Sequence, residues 1–393
     1  MEIKNVIICG AGALGLTYAY KLKDVCCLKM LADINRVDKY KKNKLYFNNQ
    51  LLDLDFITPE DSLKADLIII ATKSHGLGLA IKYIKNFLSK NTKIISLING
   101  ISSEKEIKLV YPDIRVIRSY YIGHSAVRID NKISHDGIGK IVIESDLDLE
   151  RFLKKNNIDY EVSDDIIYSQ WLKLGVNIVL NQLTAINECS VGELKKDDKY
   201  LLFADNLLEE VCAIAKLAET FDFCNYKKDV FKLINLVADD GKTSMCQDII
   251  AKRKTEVDIF SGEIIHFGEK YGIKTPYNDF VYKKIKQKEK FLCKNLILFL
   301  IFFLFQTNLI FAEINPYEEV QLNYSNLNKF SIPENSQDRL ERVNIRDYDD
   351  YDSELFTSDE EVFNSKTGQF FNKFVDEKII NNKITNKVNK FTK

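Results

Sequence analysis

Lys173, Asn177 and Asn181 stand four residues apart in the run WLKLGVNIVLNQLTAI, residues 171–186. At about 100° per residue each is offset from the last by only about 40° around a helix, so the three make one polar stripe. Leu174, Val176, Ile178, Val179, Leu180 and Leu183 take most of the remaining circumference, the pattern of a helix buried nearly all round. A lysine and two carboxamides in that setting need partners or a ligand. The bland alternative is the solvated face of a surface helix, and the stripe alone does not decide between them.

A second group of residues has the spacing of a phosphate cradle. Gly10, Gly12 and Gly15, with Ala11, Ala13 and Leu14 between them, follow the apolar run Val6 to Cys9 and open a helical pattern through Leu22. This is G-x-G-x-x-G in a strand, turn and helix context. Gly10 allows the tight turn, Gly12 lets a pyrophosphate approach the backbone, and Gly15 allows close packing of helix on strand. The motif predicts dinucleotide binding. A second apolar run ends at Asp33, where such a fold places the acid that takes the adenosine ribose, and Arg36 follows three residues later. The acid argues for NADH and the arginine for the 2′-phosphate of NADPH. Lys73 and Asn99 end the apolar runs DLIIIATK and TKIISLING, at the sheet edge where ligands bind in parallel folds.

The elements that must carry these residues follow from periodicity. Runs at 66–73 and 92–100 read as buried strands separated by a helix over about 76–88, and 115–145 alternates like further strands. From 166 the period becomes helical, over 166–187, 198–221, 226–239, 244–271 and 277–290. Thr275 and Pro276 read as an N-cap and first-turn proline for the last of these. The expected organisation is α/β, with a dinucleotide-binding domain over 1–165 and an all-helical domain over 166–290.

Composition narrows the function. A net charge of −1, from 56 basic and 57 acidic side chains, gives no electrostatic footprint for nucleic acid. The eight cysteines include no C-x-x-C and, with the four scattered histidines, no zinc spacing, so reduced thiols in a cytosol and no metal site are expected. A small-molecule enzyme fits these bounds.

The motifs GAGALG, ATK, LING, WLKLGVN followed by NQLTAI, SMCQDI, TEVDIFSG and GIKTPYN occur in this order over about residues 1–290. In that order they resemble the ketopantoate reductase (2-dehydropantoate 2-reductase) family. The resemblance implies a Rossmann-like nucleotide domain plus a helical domain like the C-terminal part of 6-phosphogluconate dehydrogenase. It also implies reduction of a 2-keto acid, ketopantoate, by NADPH in preference to NADH, on the route to pantothenate and coenzyme A. Carried over by motif, Lys173 is the catalytic lysine, and Asn177 and Asn181 line the substrate site with Asn99 and Ser244. Glu256 serves both catalysis and the cofactor, while Lys73, Asn99 and Ala126 lie along the cofactor with Arg36 and the glycine turn. Gln182 departs from the family, which often has proline there. A relative acting on another 2-keto acid, and a nucleotide-binding protein without chemistry, are the competing functions.

After Glu289 the family pattern stops. Lysines precede the apolar run Leu296 to Phe305, and a shorter apolar patch ends at Ala312, the layout of a secretory signal peptide placed in mid-chain. Residues 291–312 are expected to mark the join to a once separate exported protein. The second choice is an inner-membrane anchor that leaves the catalytic part in the cytoplasm, and the third is a buried helix. Residues 313–393, with blocked charge and low hydrophobicity, are expected to be disordered.

Overall fold

Val6 to Cys9, Leu67 to Ile70 and the Ile94–Ile95 pair are apolar on both alternating faces, and the chain buries both. The computed structural model describes residues 1–290 apart from 124, 125, 136, 138, 197 and 220–222. Strands β1 (Asn5–Cys9), β2 (Cys27–Leu31), β3 (Leu45–Phe47), β4 (Gln50–Leu52), β5 (Phe56–Ile57), β6 (Leu67–Ile70), β7 (Lys93–Ser96) and β8 (Arg115–Ile117) come first. Six strands form a sheet in the order β5-β2-β1-β6-β7-β8, parallel throughout. Strands β9 (Ser119–Gly123), β10 (Val127–Ile129), β11 (Lys132–Ser134), β12 (Gly139–Ile143) and β13 (Tyr160–Val162) complete two smaller sheets, β10-β11-β3-β4 and β13-β12-β9.

Helices α1 (Ala13–Leu22), α2 (Ile34–Lys42), α3 (Leu77–Tyr83), α4 (Ser103–Val110) and α5 (Leu147–Lys155) belong to this first part. Val6, Ile8, Leu67, Ile69 and Ile95 pack with Leu16, Ala19 and Leu22 of α1 and Phe152 of α5. Ile7, Cys9, Ile68, Ile70 and Ile94 face the other way, onto Leu77 and Ala80 of α3 and Ile107 of α4. Helices on both faces are what a parallel sheet requires, and they explain why the strands read as unbroken apolar runs. The chain leaves β1 toward β2 and later returns to the other side at β6, so the crevice for a ligand opens at the carboxyl ends of β1 and β6.

Among the described residues every later element is helical: α6 (Ile166–Val176), α7 (Gln182–Asn187), α8 (Val191–Lys195), α9 (Asp198–Ala218), α10 (Tyr226–Leu236), α11 (Ser244–Ile250), α12 (Ser261–Tyr271) and α13 (276–290). Pro276 opens α13 and the carbonyl of Thr275 accepts from Asp279 N at 2.9 Å, as the cap signal predicts.

Two expectations need correction. The straight helix over 166–187 is interrupted by a π-helical turn, Asn177–Asn181. Gln182, fully buried, donates to the carbonyl of Ile178 at 3.0 Å, and Thr184 Oγ1 donates to that of Leu180 at 2.6 Å. Side chains that claim helix carbonyls loosen the regular ladder, and here the loosened stretch is a single π-turn. Gln182 also exchanges hydrogen bonds with Ser261, at 2.8 and 3.2 Å, which fixes the π-turn to the start of α12.

The helix expected over 244–271 is two helices. Lys252 is left-handed at φ 56°, and Thr255 gives both its N–H and its hydroxyl to Glu289 of α13, at 2.8 and 2.6 Å. The apolar spacing of Ile249, Val257 and Phe260 suits a continuous helix, but these tertiary bonds pull the backbone out of it. Among the described residues no helix is long and apolar enough to cross a membrane. The 291–312 segment and the 313–393 tail lie outside the described residues.

Candidate active site

The glycine turn has the cradle geometry its spacing predicts. Gly10 sits at φ +117°, and a Cβ there would meet the Ala71 carbonyl and Thr72 N at 2.7–2.8 Å, beside the end of β6. A Cβ on Gly15 would lie 2.0 Å from the Gly10 carbonyl oxygen. Gly12 is different, since among the described residues a Cβ there meets only the Ala71 carbonyl oxygen at an ordinary 3.6 Å. It is the N-cap of α1 and contributes no side-chain cap, and no acid stands in the first turn. The first N–H groups of α1 are therefore open to an anion. Thr72 Oγ1 is buried beside the turn with no hydrogen-bond partner among the described residues, a polar atom that a ligand there would satisfy. A dinucleotide fits these residues.

The stripe meets the end of the sheet. Lys173 Nζ donates to Asn99 Oδ1 at 3.0 Å, and Asn99 Nδ2 donates to Glu256 Oε2 at 3.0 Å. The other Glu256 oxygen accepts from Ser74 N at 3.3 Å. The break after α11 is what lets Glu256 turn toward the β6 and β7 ends. Beneath the ammonium, 5.3 Å away, lies the ring of Tyr120. Lys173 has no carboxylate within ion-pair distance among the described residues, and burial lowers its pKa to about 8, with Glu256 and Glu104 acting against that shift.

Asn181 Nδ2 donates to Asn177 Oδ1 at 3.3 Å, and Asn177 Nδ2 is buried with no partner among the described residues. A buried unpaired amide on the stripe, next to a cation, is a donor awaiting an acceptor. Leu174, Ile178, Val179, Leu180 and Leu183 are buried as expected, while Val176 is only partly so. Ser244 begins α11, whose N-cap Thr243 shares a 2.7 Å hydroxyl contact with Thr184 of α7. Lys73 does not stand free at the sheet edge: its Nζ lies 2.5 Å from Asp248 Oδ2, and Arg253 Nε donates to Asp248 Oδ1 at 2.7 Å. Ala126 packs against the cluster around α1, just ahead of β10.

These residues come from both halves of the chain, and so do its relatives' signatures. The family model described as ketopantoate reductase PanE/ApbA matches residues 6–146, and its C-terminal counterpart matches 165–289. The chain belongs to the ketopantoate reductase family. It is 26% identical over 303 residues to the 2-dehydropantoate 2-reductase of Streptococcus pyogenes serotype M6, an alignment covering 72% of this chain and 97% of that protein. Among solved structures, a ternary complex of D-mandelate dehydrogenase with NADH and anilino(oxo)acetate superimposes with a TM-score of 0.65 at 22% identity. The PanE/ApbA family ketopantoate reductase of Ralstonia eutropha JMP134 gives 0.64 at 22% identity. Each covers 73% of this chain and 99% of the other, and at this identity they speak for the fold.

In this ketopantoate reductase family member Asp33 and Arg36, which the sequence sets in conflict, are partners. Asp33 caps α2 by accepting from Arg36 N at 3.0 Å, and its other oxygen lies 3.3 Å from Arg36 Nε. Sequence reasoning misses Arg128 of β10, whose guanidinium donates to the Ala11 carbonyl in the glycine turn and lies 5.7 Å from the Tyr40 ring centroid. Among the described residues no carboxylate pairs with Arg128. Asp248 is also missed, although its place four residues after Ser244 in SMCQDI was a usable signal.

Glu263 of α12 is 8% exposed, and burial pushes its carboxyl up to about 7, the Glu106 and Glu104 charges adding to this and Ser102 opposing it. A raised carboxyl favours the fold fully below the unfolded value near 4.5, and that contribution is lost as pH rises through 7. Glu263→Gln is therefore expected to be more stable than the parent at pH 8 by about 2 kcal/mol, and about equal at pH 4.5. Urea unfolding of both proteins at the two pH values checks this, and an equal difference at both would refute it.

Proposed function

We propose that this protein is a 2-dehydropantoate 2-reductase, reducing ketopantoate to pantoate with NADPH. The observation that carries the reading is the line Lys173, Asn99, Glu256, which joins an ammonium of lowered pKa to the edge of the nucleotide crevice. The nicotinamide cofactor, when bound, supplies the hydride for the carbonyl carbon. In this reading the glycine turn and the open end of α1 hold the pyrophosphate, with Thr72, Lys73 and Ala126 alongside. Asn177 and Asn181 orient the substrate carboxylate or hydroxyl without adding charge, and Ser244 closes the site from α11.

As the carbonyl is reduced, its π electron pair moves to oxygen. The Lys173 ammonium stabilises that charge and gives it a proton. Asn99 holds the ammonium in line, and Glu256 orients Asn99 through its second amide bond. A group titrating near 8 is well matched to proton donation at neutral pH.

The preference for NADPH rests on charge. Asp33 is engaged by its cap and by Arg36, and Arg128, bonded to the Ala11 carbonyl, adds a cation beside the glycine turn that no carboxylate pairs among the described residues. The test is the initial rate of cofactor oxidation with ketopantoate, other branched 2-keto acids and phenylglyoxylate, using NADPH and NADH in turn. Selectivity for ketopantoate and an efficiency ratio above ~10 for NADPH, one bidentate arginine contact's worth, are expected. Preference for another keto acid would overturn the substrate, and preference for NADH would overturn the cofactor.

A further inference from the structure

Glu104 is a buried carboxylate, 5% exposed, to which the mechanism above gives no part. It stands in the first turn of α4, just after the Asn99 loop. Its Oε1 accepts from Gln170 Nε2 at 2.9 Å and from Ser119 N at 3.2 Å, and its Oε2 accepts from Ser103 Oγ at 3.0 Å. Gln170, itself 3% exposed, accepts from Arg118 Nη1 at 3.1 Å through its carbonyl. Ser119 begins β9, one residue before Tyr120, whose ring underlies the Lys173 ammonium. One carboxylate thus ties α4, β9 and α6 together.

Gln170 precedes Lys173 by three residues on α6, so the two side chains share a helix face. The Lys173 ammonium has no direct ion pair among the described residues. Its charge is countered one amide away on one side, through Asn99 to Glu256. The Glu104 network has the same form, a carboxylate bonded to a carboxamide beside the lysine, and the Glu104 charge acts on Lys173 in the same direction as that of Glu256. Burying a carboxylate costs several kcal/mol before its bonds are counted, so a fold needing only a polar tether here could have used glutamine.

We propose that Glu104 is a positioning residue for Lys173: its carboxylate locks Gln170, and with it the α6 face that presents the ammonium, while its negative charge holds that ammonium in the charged form. The inference rests on the assignment of Lys173 as proton donor. The other groups that face the pair are Glu256, Asn99 and Tyr120 around Lys173, and Glu263 of α12, Arg118 and the neighbouring Lys105 and Glu106 around Glu104.

Glu104→Gln is the decisive variant, because a glutamine keeps an Oε1 acceptor for Gln170 and Ser119, removes the charge, and turns the Oε2 acceptor of Ser103 into a donor that the Ser103 hydroxyl can accept by rotating. Lysine labelled with 13C at Cε lets the Lys173 resonance, identified by its loss in Lys173→Arg, be titrated in the full chain without any turnover. Its midpoint is expected to fall by about half to one pH unit in Glu104→Gln, and the alkaline limb of kcat with ketopantoate to move down with it. An unmoved midpoint would refute the proposal. Should Glu104→Gln fail to fold, Glu104→Asp keeps the charge and shortens the reach to Gln170. It is expected to keep the midpoint within a few tenths of a unit while lowering kcat about tenfold, and unchanged kcat would overturn the positioning role. A shifted midpoint in a protein that reduces no keto acid would instead refute the proposed reaction and leave the Glu104 to Lys173 coupling standing.

Discussion

Lys173→Ala is expected to lower kcat for ketopantoate by roughly three to four orders of magnitude while leaving NADPH affinity within about threefold of the parent. In the proposed reaction the proton donor and the charge that stabilises the developing alkoxide are the same group, so both contributions would be lost at once. In free energy this is about 4–5 kcal/mol of transition-state stabilisation, at ~1.4 kcal/mol per tenfold. Cofactor binding is spared because the glycine turn and the open end of α1 lie at β1, whereas Lys173 meets the first part of the chain at Asn99 and over the Tyr120 ring. The pH profile carries the same information. The lysine must be charged to donate, and its pKa is lowered to about 8 chiefly by burial, so kcat in the parent should fall as pH rises through 8. Steady-state kinetics and a fluorescence titration of NADPH check both parts; turnover within tenfold of the parent would remove Lys173 from the mechanism.

Gly15→Ala and Gly12→Ala should behave oppositely, although they change neighbouring positions of one motif. A methyl on Gly15 would stand 2.0 Å from the Gly10 carbonyl oxygen, and both partners are backbone. Gly10 cannot retreat, because its own Cβ position is already filled by the Ala71 carbonyl and Thr72 N. The turn must open, at a cost of about 3 kcal/mol or more, which corresponds to a fall in Tm of about 5–10 °C. Loss of the turn should also weaken NADPH binding at least about a hundredfold, since ~1.4 kcal/mol is a factor of ten. Gly12→Ala meets nothing closer than 3.6 Å and should melt within about 1 °C of the parent, losing affinity only where the methyl blocks the phosphate. Calorimetry with and without NADPH separates the two, and equal melting temperatures would show that the turn is looser than its contacts imply.

Much of this architecture was legible in order along the chain. The unbroken apolar runs of β1, β6 and β7 announce a sheet covered on both faces, and burial of Ile7 with Ile8, and of Ile69 with Ile70, is its direct result. The glycine turn was legible because backbone contacts at Gly10 and Gly15 exclude a side chain, and only glycine leaves that mark at a fixed spacing. The stripe was legible for the same kind of reason, since Lys173, Asn177 and Asn181 interrupt an otherwise apolar surface.

Other features were hidden because they depend on partners distant in sequence. Periodicity could not show that Gln182 binds Ser261, 79 residues away, or that the chain between α11 and α12 leaves its helix to meet Glu289. Nor could it show that Arg128 returns to the Ala11 carbonyl from 117 residues downstream. Asp33 and Arg36 look like competitors in a string of letters, and become an ion pair only when α2 begins between them.

Local sequence thus determined most of which residues are buried, where the glycine turn lies and which helix carries the lysine, because each follows from steric and hydrophobic rules acting within one element. The tertiary structure decided the rest: that Lys173 reaches Asn99 and through it Glu256, that Asn177 Nδ2 has no partner among the described residues, and that Glu104 stands behind Gln170. Those contacts join elements 66 to 157 residues apart, and a hydrogen bond of about 3 Å is set by how whole helices and sheets pack rather than by any local pattern.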